Sequence, residues 1–293
     1  MGRHTGLPLQ GKFERAPLHS RICGRSGMKI YREARPSVLF TEKIFIRTQN
    51  PILKSPQDID FKDEKLGIRE NLARVKDRIE KAAIKAGRDP QTVRLVIVSK
   101  TVEIERIQEA IQAGVNILGE NYVQEARDKI DKLGHTVEWH FIGHLQTNKA
   151  KHAVDLFDVI HSIDRVDLAQ EIDRIAAKKG KTIPALIQVN ISGEESKHGI
   201  DRDGLIRLID EIIPLRNISL QGLMTMPPYF DNPDMARPYF QVLRGIKEEM
   251  NQRFKGGISL QELSMGMSSD FEAAIEEGAT LVRIGTAIFG ERQ

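Results

Sequence analysis

The sequence has few of the residues that cross-link small folds or anchor a chain in a membrane. Its 293 residues include one cysteine, Cys23, which excludes an internal disulfide framework and a cysteine-clustered metal site. No apolar run approaches the roughly 18 residues that a membrane-spanning helix needs, so a transmembrane segment is excluded as well. Aromatic residues make up 5% of the chain and include only four tyrosines, so a catalytic tyrosine has few candidates.

The net charge of +3 is distributed unevenly along the chain. Residues 1–57 carry eleven lysines and arginines against three acids, a net of +8, so the remainder carries −5. Glycine, proline and serine interrupt this first segment, and it shows no sustained helical or strand period. We interpret residues 1–63 as a basic, disordered extension, with a transit peptide or a nucleic-acid-binding arm as alternatives. The positive net charge therefore predicts no nucleic-acid partner for the rest of the protein.

From residue 64 onward, helical periods alternate with short apolar runs. The first helical period covers residues 66–86 and precedes a β-branched run at 93–99, which is typical of a buried parallel strand. Seven further helix–strand pairs follow, with strands predicted at 115–118, 137–142, 157–161, 184–191, 218–224, 259–263 and 280–284. Eight such units predict an α/β fold, a single (β/α)8 TIM barrel over residues 64–293. The C-terminal ends of its strands are where binding residues are expected.

Polar residues follow the early predicted strands. Lys100 directly follows the first, where partial desolvation would lower a lysine pKa and free the amine for Schiff-base chemistry. A solvated lysine at the start of a loop explains the position equally well. Glu120 and Asn121, after the second strand, either orient a ligand or cap the next helix. His140 and His144 have no third ligand at suitable spacing, so we predict no metal.

Glycines and hydroxyl residues follow the last two predicted strands, at residues 264–269 and 283–287. Exposed N–H groups at two adjacent helix N-termini form an anion cradle, and TIM barrels often bind phosphate there. Two capped helices without a ligand explain the hydroxyls but not a glycine in both loops. Strand eight pairs with strand one in a closed barrel, so the cradle and Lys100 are expected to be neighbours. Pyridoxal 5′-phosphate (PLP) carries the aldehyde and the phosphate that such a site would bind, while Arg283 either donates to its pyridine nitrogen or forms a structural ion pair.

Six motifs resemble the YggS/PROSC family of pyridoxal phosphate homeostasis proteins, in order between about residue 64 and residue 291. They are VSKT at 98–101, GENYVQE at 119–125, WHFIG at 139–143, GLM at 222–224, LSMGMS at 263–268 and VRIGTAIFG at 282–290. The resemblance implies a fold-type III barrel like the N-terminal domain of alanine racemase, with PLP held as a Schiff base. The cofactor-binding residues that it implies are Lys100, Asn121, Met265, Ser268, Arg283, Gly285 and Thr286.

Within this implied set, the phosphate lies around Ser268, Gly285 and Thr286, and Arg283 lies near the pyridine nitrogen. Asn121 and Met265 are expected close to the cofactor. Family members are regarded as regulators or carriers of intracellular PLP with no established turnover. The resemblance therefore implies a cytoplasmic protein that has no catalytic residues and supplies PLP-dependent apo-enzymes. We expect a monomer.

Racemisation is the main alternative, and it needs two acid/base groups on opposite faces of the bound amino acid. In alanine racemase-like enzymes the second group is a tyrosine near a β domain that follows the barrel. This chain ends at Gln293, soon after the eighth predicted strand, and none of its tyrosines is convincingly placed. Arg283 at the pyridine nitrogen would also disfavour ring protonation and weaken the electron sink. A lysine-dependent aldolase and a cofactor-free interaction protein are further alternatives.

Overall fold

The computed structural model describes residues 67–194 and 197–291. The predicted extension at 1–63 lies outside these residues and stays a prediction. In the described part, eight parallel strands close into a barrel in sequence order, which confirms the predicted (β/α)8 fold. The strands are β1 (Arg94–Val98), β2 (Ile117–Glu120), β3 (Glu138–Phe141), β4 (Val159–Ile163), β5 (Ile183–Gln188), β6 (Ile218–Met224), β7 (Glu262–Ser264) and β8 (Leu281–Ile284).

Helices surround the barrel, and in the described ranges none is long and apolar enough to cross a membrane. They are α1 (Ile68–Lys85), α2 (Ile104–Gln112), α3 (Val123–Leu133), α4 (Ala150–Leu156), α5 (Val166–Lys178), α6 (Arg202–Ile212), α7 (Arg237–Arg253), α8 (Phe271–Glu276) and α9 (Thr286–Phe289). Short 3-10 turns precede β1, α4 and α7, at Pro90–Thr92, Thr147–Lys149 and Pro233–Ala236.

Pairing of the first and last strands closes the barrel. Arg94 pairs with Leu281 and Ile97 with Ile284, while Ile97 also pairs with Leu118 of β2. The C-terminal ends of β8, β1 and β2 therefore lie side by side, which brings the loops after these strands to one edge of the barrel mouth. A small cluster of apolar side chains from six strands fills part of the interior: Val96, Ile117, Val159, Leu186, Met224 and Leu281.

The first helix completes the ring of helices. Up to residue 291, where the described range ends, β8 is followed by the four-residue α9 alone, and α1 packs against α9, α8 and α2. The Glu70 carboxylate accepts a hydrogen bond from the amide of Gly67, the N-cap of this helix (2.8 Å), as in a capping box. Its buried residues recur at helical spacing: Ile68, Leu72, Val75, Ile79, Ala82 and Ala83. The helix before β1 thus covers the outer surface of the barrel where its first and last strands, β1 and β8, meet.

Several boundaries differ from the predicted ones by two to four residues. The predicted strands at 115–118 and 157–161 correspond to β2 and β4, which each begin two residues later. Val115 and Phe157 are buried although they precede the strands, so the apolar run is longer than the strand itself. The helix predicted from residue 233 begins as a 3-10 turn and becomes α-helical at Arg237. The shift places Glu120 inside β2, as its last residue.

Candidate functional site

A cavity of about 520 Å³ opens where β1 and β8 end, and we refer to it as the Lys100 cavity. Lys100 follows β1 and is partly buried, as expected for a lysine at the barrel mouth. The loop after β7 supplies residues 267–269, and the start of α9 supplies residues 285–287. The remaining lining residues are Val98, Tyr229 and Arg283. Five of the seven predicted cofactor-binding residues therefore meet in one cavity: Lys100, Ser268, Arg283, Gly285 and Thr286.

Arg283 is 3% exposed and is oriented by two neutral acceptors. Its Nη1 donates to Ser264 Oγ (2.6 Å), and its Nη2 donates to the Thr225 carbonyl (2.8 Å). Burial lowers the pKa of Arg283 to about 10, against the opposing effect of Asp270. The guanidinium is still a cation at neutral pH, and it keeps further N–H groups for a ligand.

A chain of polar side chains runs from Arg283 through the barrel interior. His161 Nδ1 lies 2.9 Å from Ser264 Oγ, and His161 Nε2 lies 2.9 Å from His140 Nδ1. A guanidinium only donates, so Ser264 accepts from Arg283 and its own hydrogen is available for His161 Nδ1. Burial, reinforced by His140 and Arg283, holds the pKa of His161 well below its usual value. His161 is therefore a neutral link in this chain.

The predicted phosphate cradle is built from the loop after β7 and the start of α9. Ser268 Oγ accepts long hydrogen bonds from Gly285 N (3.4 Å) and Ala287 N (3.3 Å). The Asp270 carboxylate accepts from Met267 N (2.6 Å) and so shapes the loop that carries Ser268. Burial raises the pKa of Asp270. Hydroxyl and amide donors thus point to one place beside Lys100.

The backbone on both sides of Lys100 is held by a buried ionic cluster. Ser99 Oγ donates to Glu120 Oε1 (2.6 Å), and Lys129 Nζ donates to the same carboxylate oxygen (2.7 Å). Tyr122 is the N-cap of α3, so Glu120 does not cap that helix as one of our alternatives had it. Burial raises the pKa of Glu120, and Lys129 opposes that effect. Glu120 therefore holds Ser99, the residue before Lys100, both directly and through Lys129.

Asn121 and Met265 do not line the Lys100 cavity. Asn121 lines a neighbouring cavity of about 570 Å³ together with Tyr122, His144, Lys149, His198 and others. A Cβ on Gly143 would lie 2.2 Å from the Asn121 carbonyl, so only glycine permits this close approach of two loops. Met265 is fully buried in the core and lines neither of the two cavities. Contact of Asn121 and Met265 with the cofactor stays a prediction.

Sequence reasoning did not predict the role of several residues that shape the site. Thr225, His161 and Ser264 lie in or beside β6, β4 and β7, and each bonds Arg283 or its partner through the barrel interior. A polar residue inside a mostly apolar strand was the available signal, and His161 in β4 shows it. The burial of Lys129 gave no signal in the sequence, because a lysine in an amphipathic helix ordinarily faces solvent.

Comparison with known sequences gives a consistent result. The sequence profile of the alanine racemase N-terminal domain family matches residues 68–293. The pyridoxal phosphate homeostasis protein of Aquifex aeolicus is 47% identical over 225 residues, which cover 76% of this chain and 98% of that protein. The protein of the same name from Escherichia coli K12 is 42% identical over 240 residues, covering 77% and 97%.

Solved structures extend the comparison. PipY of Synechococcus elongatus PCC7942, solved with PLP bound, is 36% identical, with a TM-score of 0.68 over 76% of this chain and 100% of PipY. Alanine racemase of Clostridium difficile 630 shares the fold, at 17% identity and a TM-score of 0.59. It is matched over 57% of its own length and 77% of this chain. The chain therefore belongs to the alanine racemase N-terminal domain family and, within it, to the pyridoxal phosphate homeostasis proteins.

Proposed function

We propose that this protein binds PLP on Lys100 and maintains PLP supply for other proteins without turnover of its own. The observation that carries the proposal is the Lys100 cavity, where an amine, a guanidinium and a set of hydroxyl and amide donors converge. Its chemistry matches a ligand with one aldehyde, one phosphate and one aromatic nitrogen. The homeostasis proteins to which the chain is similar and the PLP-bound PipY structure support the same conclusion.

The donor set fits the cofactor group by group. PLP supplies an aldehyde that a lysine amine can condense with, with loss of water, and a ring that withdraws electrons. Lys100 Nζ would provide the amine, and Ser268, Thr286 and the Gly285 and Ala287 amides would bind the phosphate. Arg283, held by Ser264 and Thr225, would donate to the ring nitrogen. A cation at that position would disfavour protonation of the ring nitrogen, and this would favour storage of PLP over carbanion chemistry.

The test is the absorption spectrum of the purified protein incubated with PLP. We expect a visible band from the lysine-bound cofactor that borohydride bleaches, and a PLP-modified peptide that contains Lys100. Lys100→Ala is expected to lose the band. Lys149→Ala, which changes a lysine of the neighbouring cavity, is the matched control and is expected to keep it. A wild-type protein that stays colourless after incubation with PLP would refute the proposal.

The supply function is tested by transfer. The PLP-loaded protein is expected to restore activity to a PLP-dependent apo-enzyme, and an equally treated Lys100→Ala preparation is not. If free PLP at the same total concentration restores activity equally fast, delivery by this protein is excluded. The expected monomeric state and cytoplasmic location stay predictions, which sedimentation equilibrium and cell fractionation check.

Amino-acid racemisation is kept as a second candidate because Tyr229 lines the Lys100 cavity. A phenol there is the type of group that could act opposite the lysine. Tyr229 is 74% exposed, so few contacts fix its orientation, and catalysis needs a fixed orientation. Chiral chromatography of alanine and other amino acids incubated with the PLP-loaded protein decides the question. Racemisation that disappears in Tyr229→Phe would establish the racemase.

A further inference from the structure

The turn that carries Lys100 has an unusual backbone conformation. Thr101 has a φ of 59°, and it is the one residue other than glycine with a positive φ in the described part of the chain. A β-branched residue is disfavoured in this left-handed region, so neighbouring contacts must hold it there. Thr101 Oγ1 donates to the Lys100 carbonyl (2.7 Å), and Thr101 N donates to Glu125 Oε1 (2.5 Å).

The same Glu125 oxygen belongs to a buried ionic cluster. Lys129 is 5% exposed, and its Nζ makes three hydrogen bonds: to Glu125 Oε1 (2.7 Å), to Glu120 Oε1 (2.7 Å) and to the Ser99 carbonyl (2.5 Å). A lysine ammonium has three N–H donors, so all are used. We call Glu120, Glu125 and Lys129 the Lys129 clamp.

The clamp forms hydrogen bonds with the residues immediately before and after Lys100. Ser99, before Lys100, is held through its carbonyl by Lys129 and through its hydroxyl by Glu120. Thr101, after Lys100, is held through its amide by Glu125. The clamp spans the ends of β1 and β2 and the first turns of α3, so these three elements fix one turn. The residues before and after Lys100 are therefore fixed, and they set the direction in which its side chain leaves the backbone.

We infer that Lys129, Glu120 and Glu125 are positioning residues, which hold the Lys100 turn so that its amine reaches the cofactor aldehyde. The inference rests on the proposed function, because it concerns the attachment of PLP to Lys100. The clamp residues do not line the Lys100 cavity. Loss of the clamp should therefore weaken attachment to Lys100 and leave recognition of the phosphate and ring in place.

Two probes separate attachment from recognition. PLP has the aldehyde, whereas pyridoxine 5′-phosphate has an alcohol there and cannot condense with an amine. In full-length Lys129→Met we expect PLP to bind at least tenfold more weakly, with a matching drop in the fraction that borohydride fixes. The affinity for pyridoxine 5′-phosphate should change by less than about twofold. Lys132→Met, which alters an exposed lysine of the same helix, is expected to match wild type with both probes.

Three other outcomes are possible, and each contradicts either the positioning role of the clamp or the proposed function. Equal loss of affinity for both probes would show that the clamp is only structural, and unchanged PLP attachment would show that it does not position Lys100. Either result overturns the inference. If wild type itself binds neither probe, the proposed function fails instead, and the two failures are thereby distinguished.

A second variant pair covers the case in which Lys129→Met does not fold. Glu125→Ala removes the acceptor for Thr101 N, and the side chain is partly exposed, so the fold should tolerate the change. We expect a several-fold loss of PLP attachment in this variant. Thr101→Gly in the Glu125→Ala background should restore part of it, because glycine adopts a positive φ without a clamp. Unchanged attachment in Glu125→Ala, or a loss that Thr101→Gly does not restore in part, would contradict the inference.

Discussion

Arg283 shows how the barrel interior accommodates a buried cation next to a ligand cavity. Moving a charge out of water is costly unless hydrogen bonds and an opposite charge compensate. Ser264 and Thr225 provide neutral acceptors, and the buried carboxylate of Asp270 favours the charged form of Arg283. The cation is thus fixed before any ligand arrives, which lowers the entropy lost on binding.

The neutral His161 makes stability depend on pH. Its pKa in the folded protein is well below the usual value, so in the window below about pH 6.5 the unfolded chain binds more protons. Stability is therefore expected to fall as pH decreases through that window, by up to about 1.4 kcal/mol per pH unit for each such proton. His144, whose pKa burial and His198 also lower, acts in the same direction.

Urea unfolding between pH 7 and pH 5 measures this effect. His161→Gln is expected to flatten the dependence of unfolding free energy on pH, whatever its stability at pH 7. His135→Gln, at an exposed position, serves as the control and should keep the wild-type slope. Identical slopes in all three proteins would show that His161 is not responsible.

At the scale of elements, the contact between β6 and β7 requires a residue without a side chain. A Cβ on Gly222 would lie 2.0 Å from the Glu262 carbonyl oxygen, and Gly222 pairs with Glu262 in the barrel. Backbone atoms cannot yield as a flexible side chain can, so the strands would have to separate. The third residue of β7, Ser264, holds Arg283, so the spacing of these strands also positions the site.

Two glycine-to-alanine variants, which should change the unfolding free energy in opposite directions, test whether the β6–β7 contact requires glycine. Gly222→Ala is expected to lower the unfolding free energy by about 1–3 kcal/mol through overpacking. Gly245→Ala, at an exposed position within α7 where an added Cβ meets nothing within 4 Å, is expected to raise it by up to about 1 kcal/mol. Thermal or urea unfolding measures both. Equal effects of the two substitutions would mean that the β6–β7 contact is not the cause.

The type and order of the elements could be predicted because each strand and helix carries its own apolar period. Exact strand starts could not, since buried residues such as Val115 continue the apolar run into the connection before the strand. Lys100 and Arg283 were predicted to share a site because they stand beside strand ends that barrel closure makes neighbours. The role of Lys129 was not predictable, because it depends on a side chain of α3 reaching the end of β1.

At the scale of the whole molecule, residues 67–291 contain every strand and helix described here and both cavities. The match to the Aquifex aeolicus protein covers 98% of that protein with 76% of this chain. The described ranges thus hold α1 and all eight strands of the barrel, and we predict that the folded domain begins at residue 64.

A chain that begins at residue 64 is accordingly expected to fold, with an unfolding midpoint and PLP affinity close to those of the full chain. A chain that begins at Gly87 provides the contrast, because it lacks α1 and exposes the apolar surfaces of α8 and α9. We expect that shorter chain to aggregate or to unfold at much lower temperature. Circular dichroism and PLP titration of the three chains check this, and a misfolded 64–293 chain would contradict the predicted boundary.

Closure of the barrel between β1 and β8 has a consequence for biosynthesis. Arg94 of β1 pairs with Leu281 of β8. At ordinary rates of translation, Leu281 is synthesised on the order of 10–40 s after Arg94. During that interval one edge of β1 presents unpaired N–H and C=O groups, a template for association with other nascent chains. Such long-range pairing also slows folding, because loop-closure entropy is lost before the contact forms. The vulnerable species is thus the unfinished chain on the ribosome, and its β1 edge stays exposed until the last strand emerges.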